Sequence, residues 1–148
     1  MNSDIIIIAC ADSRQTLRFD EAIERLKEAK KIGADIVILE AIQSREECKK
    51  VCEIMGNTPV LFNMVPGAGS PDLTVEEAKE LGFRLIIFPK FCLSMVLNSC
   101  KESLALLEEK GGEEVRGVGG VKQLFTICGL DITAEIDSKA RGKAYKNV

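Results

Sequence analysis

Four short apolar runs, each followed by a segment with helical periodicity, set the limits on what this chain can fold into. The runs are Ile5–Ala9, Asp35–Leu39, Val60–Asn63 and Phe83–Phe88. The first is a continuous β-branched stretch that suits a strand buried on both faces. From Phe19 to Ile32, the residues Ala22, Ile23, Leu26, Ala29 and Ile32 recur at helical spacing with charges between them, and Gly33 stops the helix. Ser44-Arg-Glu-Glu47 and Thr74-Val-Glu-Glu77 have the form of capping boxes. They open helices that run to about Met55 and Gly82. Cys92 to Lys110 is a longer helix, ended by Gly111-Gly112. The order βαβαβαβα, at roughly 25–30 residues per unit, predicts a parallel sheet with helical crossovers and the strands side by side in chain order.

Four such units amount to half of a (β/α)8 barrel, which takes ~250 residues; this chain has 148. Four strands do not close, so two sheet edges stay open. Past Gly112 the character changes. Glu113 to Gly120 is Gly-rich and charged, as a connection would be; Val121–Cys128 and Ile132–Ala140 read as short helices, and Arg141 to Val148 as a polar end. The expected organisation is a half-barrel over 1–110, then a linker and helical tail over 111–148.

Composition narrows the function. A hydrophobic share of 46% can bury a core. With 20 basic and 23 acidic residues, a net charge of −3 and no basic stripe, nucleic acid is not an expected partner. The apolar run at 5–11 falls far short of the ~20 residues that span a bilayer and lacks a basic leader, so neither membrane nor export is expected and the cytoplasm is. The absence of histidine removes Cys/His zinc sites and histidine triads. The six cysteines, with Cys48 and Cys52 one helical turn apart, read as reduced thiols. Gly67-Ala-Gly-Ser70 lacks the Gly-Lys-Ser/Thr ending of a phosphate loop.

In parallel βα architectures, sites lie at the carboxyl ends of the strands. Those positions hold Cys10 and Asp12, then Glu40, then Asn63, then Pro89 and Lys90. Glu40 and Asn63 each follow an apolar run directly, so a carboxylate and an amide would converge there. Such a pair can hold the water shell of a metal or orient a carboxylate or enolate oxygen. Polar residues also simply mark where strands meet solvent.

Several segments resemble the isocitrate lyase / phosphoenolpyruvate mutase superfamily, in order and at matching spacing over residues 4 to 110. Ile8-Ala-Cys-Ala-Asp-Ser13 is similar to the end of the family's fifth strand, usually Ala-Arg-Thr-Asp-Ala. Ala34-Asp-Ile-Val-Ile-Leu-Glu-Ala41 resembles the sixth, Asn63-Met-Val65 the end of the seventh, and Leu81-Gly-Phe-Arg-Leu-Ile-Ile-Phe-Pro89 the eighth. Leu124-Phe-Thr-Ile-Cys-Gly-Leu130 is similar to the C-terminal helices. The resemblance implies strands 5–8 of the barrel, and a Mg2+-dependent enzyme that makes or breaks C–C or P–C bonds of α-oxo or hydroxy carboxylates. By it, Glu40 would be the catalytic carboxylate near metal and substrate. Asn63, with the Met64 and Val65 backbone, would bind a substrate carboxylate.

The departures carry equal weight. Cys10 stands where the family has a substrate-binding arginine, and a thiol cannot make the two-pronged contact of a guanidinium. Ser94 stands near a place that is often basic. No Lys-Lys-Cys-Gly-His-like loop is present, so Cys10 is not the nucleophile of lyase members. The acidic Mg2+ ligands belong to earlier strands, which leaves no metal ligand within this chain. The expectation is therefore the C-terminal part of such an enzyme, inactive alone, that takes a small carboxylate substrate and works as a homo-oligomer or with an N-terminal half. The competing expectation is a non-catalytic half-barrel that binds a protein partner or pairs with itself.

Overall fold

The computed structural model describes residues 4–112 and 119–142. The chain packs as two units, residues 1–95 and 96–148.

In the first unit, four parallel strands alternate with helices. They are β1 (Ile8–Ala11), β2 (Ile36–Leu39), β3 (Val60–Asn63) and β4 (Leu85–Ile87). The strands lie in the order β1-β2-β3-β4, as the alternation predicts. Between them run α1 (Phe19–Lys31), α2 (Arg45–Met55) and α3 (Val75–Glu80). Strand alternation sends Ala9, Ala11, Val37, Leu39, Val60, Phe62 and Ile86 toward the helices. There they meet Ala22, Ile23 and Leu26 of α1, Cys48, Val51, Cys52 and Met55 of α2, and Ala78 of α3 in one core. The rings of Phe62 and Phe83 lie 4.9 Å apart, inclined at 45°.

The other sheet face carries Ile8, Cys10, Ile36, Ile38, Leu61, Asn63, Leu85 and Ile87. Of these only Leu61 is buried, and it does not belong to the core cluster. In a closed barrel such a face would point inward.

The first strand departs from expectation. Ile5–Ala9 was to be doubly buried; the strand instead begins at Ile8, and Ile5 to Ile8 are 76, 65, 55 and 47% exposed. Ladder pairing starts only where β2 lies alongside, at Ile8↔Ile36. Ahead of it, the Asp35 and Ile36 N–H groups donate to the Ile7 carbonyl and the Asp35 carboxylate accepts the Ile7 N–H at 2.8 Å. Cys10 consequently sits inside the strand rather than after it. The fourth strand is also shorter than Phe83–Phe88: Phe83 is drawn into the core and Phe88 is exposed.

Helix α4 (Phe91–Lys110) contains the division between the units. In the second unit, α5 (Gly120–Ile127) and α6 (Leu130–Lys139) are joined at Gly129, whose φ of +93° makes the tight turn. The connection expected over Glu113–Gly120 falls mostly outside the described residues, and the polar end lies outside them from 143 onward. Among the described residues, no helix is long and apolar enough to cross a membrane.

Candidate functional site

Register brings the polar strand ends into one row. Ala11 pairs with Leu39, so Asp12 stands beside Glu40; Asn63 pairs with Ile87. The Glu40 N–H donates to the Ala11 carbonyl at 3.1 Å, which ties the start of the loop to β1. Ala41, the next residue, takes a φ of +57°, a conformation that costs a non-glycine residue energy. Buried Ile42 then anchors the turn.

Glu40 and Asn63 meet as the sequence suggests. The Asn63 amide Nδ2 donates to Glu40 Oε1 at 3.1 Å, and both side chains are half-buried. The opposite amide orientation would set Oδ1 against the carboxylate, so Glu40 fixes which way Asn63 points. Asn63 Oδ1 is then a buried acceptor without a hydrogen-bond partner. The pair offers a carboxylate, a spare N–H donor and an unused acceptor within one small area.

The other expected residues fare differently. The Met64 N–H donates to the Ile87 carbonyl at 2.9 Å, and its side chain is in the core. Extending β3 by one ladder bond uses up the donor. Val65 is half-buried, and its carbonyl accepts from the Ala68 N–H at 3.1 Å. Cys10 lies on the open face in the row of Ile38, with Sγ 4.0 Å from Asp12 Oδ2. Desolvation, then the charges of Asp12 and Glu40, push its thiol up to about 11. It is a protonated neutral group at pH 7, neither an anion-binding cation nor a ready nucleophile.

Sequence reasoning missed what holds these loops. Arg14, on a 3-10 turn over Ser13–Gln15, reaches the first turn of α2. Its Nε lies 3.3 Å from both Glu47 oxygens, and its Nη2 donates to Glu47 Oε1 at 2.8 Å and to Gln43 Oε1 at 2.6 Å. Only 15% and 20% of the two charged side chains is exposed. Desolvation raises the Glu47 carboxyl, but hydrogen bonds from Arg14 and Gln43 outweigh it and leave the carboxyl below its ordinary value. The Ser44 capping box is therefore half-made: Ser44 Oγ accepts the Glu47 N–H, while Glu47 turns to the Gln43 N–H and Arg14. No local periodicity marks Arg14, because its partner is 33 residues away.

Among the described residues, no three of Asp, Glu and Cys converge to hold a metal ion. A recess of about 540 Å3 lies along the outer edge of β1, lined by Cys10, Asp12, Ser13, Thr16, Arg25 and Leu26 among others; Glu40 and Asn63 are not part of it.

Residues 1–107 match the family model for phosphoenolpyruvate phosphomutase. The chain is 41% identical over 142 residues to 2,3-dimethylmalate lyase of Eubacterium barkeri, a match that covers 93% of this chain and 48% of that protein. It superposes on a crystal structure of 2,3-dimethylmalate lyase with a TM-score of 0.94 at 37% identity, covering 98% of this chain and 50% of the other. Oxaloacetate acetylhydrolase bound to 3,3-difluorooxalacetate gives a TM-score of 0.90 at 37% identity, over 97% of this chain and 48% of that one. The chain spans about half the length of these relatives.

Proposed function

The chain belongs to the isocitrate lyase / phosphoenolpyruvate mutase superfamily, and from that premise we propose that it is the substrate-gripping C-terminal half of an enzyme acting on a C–C or P–C bond of a small oxo- or hydroxycarboxylate. The observation that carries this is the Glu40–Asn63 pair, with its buried, unused Oδ1. An unpaired buried acceptor is costly, and a substrate hydroxyl can relieve it. The spare Asn63 N–H suits a carboxylate oxygen on the same ligand. An amide therefore fits a 2-hydroxycarboxylate with one donor and one acceptor and adds no titrating group. Glu40 keeps the amide aimed and accepts a hydrogen bond from the reacting substrate.

Family membership implies Mg2+, which would polarise the oxygen where negative charge develops. The residues present do not form a cage for it, since a hard divalent cation takes several oxygen ligands and no such group exists among the described residues. The ion's ligands would come from outside this chain. The chain alone is accordingly inactive, and Cys10 supplies no second grip on a dicarboxylate. A self-pairing, non-catalytic half-barrel is the second possibility. The exposed Ile5–Ile8 segment and the open sheet edges favour it.

The test is turnover of 2,3-dimethylmalate, 2-methylisocitrate and oxaloacetate with Mg2+. The chain alone should cleave none. Joined to the half of the Eubacterium barkeri lyase that it does not match, it should cleave at least one, and Glu40→Gln should abolish that cleavage. A joined protein that is folded yet inert toward all three would overturn the proposal.

A further inference from the structure

Glu40 is a long side chain whose carboxylate accepts a hydrogen bond from the Asn63 amide at 3.1 Å. Its aim therefore depends on how firmly its backbone is held. That backbone opens a strained span. The Glu40 N–H is tied to the Ala11 carbonyl, Ala41 takes a φ of +57°, and Ile42 is buried. A non-glycine residue stays in the left-handed region only where its surroundings over-determine it.

The far end of the span supplies that constraint. Gln43 is held twice: Arg14 Nη2 donates to its Oε1 at 2.6 Å, and its own N–H donates to Glu47 Oε2 at 3.0 Å. The same guanidinium grips Glu47 through Nε and Nη2. One planar fork thus closes a ring through the loop residue Gln43, the first turn of α2 and the turn over Ser13–Gln15 that follows Asp12. Both charged side chains are mostly buried, away from the water that makes surface pairs weak. A second pair provides an internal comparison. Arg45 donates to Glu77 at the start of α3, a bond that joins α2 to α3 and bypasses the span from Glu40 to Gln43.

We propose that Arg14 is a positioning residue for the Glu40–Asn63 pair: its fork on Gln43 and Glu47 locks Ala41 in the left-handed conformation and so keeps the Glu40 carboxylate on the Asn63 amide. This rests on the reading of that pair as the substrate grip, and names the group that aims it. Clamp and strain act on the same few residues, so removing both is not the sum of removing each. Glycine at position 41 adopts the left-handed conformation freely, and the span then keeps its course without the clamp.

The experiment reads the Asn63 side-chain amide of the full chain by 15N NMR without ligand. In the unchanged chain, the proton bonded to Glu40 should resonate downfield of its partner on the same nitrogen. Arg14→Met should remove that displacement, and adding Ala41→Gly should restore it. Arg45→Met, which strips a guanidinium from the other helix start, should preserve it. Gln43→Met leaves the Arg14–Glu47 pair in place yet should reproduce the loss, and it decides the matter if Arg14→Met does not fold. An unchanged Asn63 signal in folded Arg14→Met or Gln43→Met, an equal loss in Arg45→Met, or no recovery with Ala41→Gly would overturn the inference. Titration with 2,3-dimethylmalate separates it from the proposed function. If the unchanged chain binds none while the variants behave as stated, the grip falls and the positioning stands. If the unchanged chain binds it and Arg14→Met binds it as tightly, the grip stands and the positioning falls.

Discussion

A methyl group added at Gly82 would stand 2.9 Å from Cβ of Cys52, at a φ of +104°. Both the backbone and the packing of α3 onto α2 require glycine there. Gly82→Ala should lower stability by about 1–3 kcal/mol, read as a lower urea midpoint at unchanged slope. Ala41 presents the opposite case, a side chain at φ +57° directly after Glu40. Ala41→Gly should stabilise the fold by about 1 kcal/mol. The buried thiols give a pH signature. Desolvation raises Cys48 to about 11 and Cys52 to about 12, so the folded state holds both protons after an unfolded chain releases them near 9. Their contribution is complete below pH 9 and is lost as pH climbs toward 11–12; Cys48→Ala/Cys52→Ala should flatten that loss in a pH series of melts. Lysine 30 shows how little a charge pattern tells of a residue's task. It stands next to Lys31 among the charges of α1, yet its Nζ donates to the Met55 carbonyl at 3.0 Å and caps α2.

The starts of α2 and α3 are fixed by residues the sequence displays, Ser44 and Thr74, but the Arg14–Glu47 clamp between units is not displayed. Thr74 and Glu77 form the full reciprocal box expected of them, and Thr74→Ala should cost about 1 kcal/mol, seen as earlier melting of α3 by hydrogen exchange. Around Arg14 the linkage runs through Glu47, whose folded carboxyl lies below its ordinary value. That contribution is present above the unfolded carboxyl pKa and is lost as pH falls through the lower folded value. Arg14→Met removes the main donor, so acid unfolding should begin at a higher pH in that variant. The sequence made the strand–helix alternation and the Glu40–Asn63 meeting readable, because period, caps and parallel register determine them locally. It did not reveal the start of β1, because four isoleucines look the same whether or not a neighbour covers them. Nor did it reveal the commitment of the Met64 N–H to the ladder, which depends on how far along β3 the pairing with β4 runs.

As a whole, the described first unit is a sheet with helices on one face only and unpaired edges at β1 and β4. Edges of this kind pair with whatever strand is offered. In isolation the chain should therefore associate in a concentration-dependent way by light scattering, and a complementary half should suppress that association. The uncovered face would become the interior of a closed barrel, with the Asp12, Glu40 and Asn63 row at its carboxyl end. We propose that the Glu40–Asn63 pair in this row grips a hydroxycarboxylate. The most direct measurement is the side-chain amide signal of Asn63 by 15N NMR during titration with 2,3-dimethylmalate, with 2,3-dimethylsuccinate as the ligand lacking the hydroxyl. The Asn63 amide should shift with the hydroxy acid, shift little with its deoxy counterpart, and lose the difference in Glu40→Gln. Equal shifts with both ligands, or none at Asn63 while other residues respond, would contradict the claim.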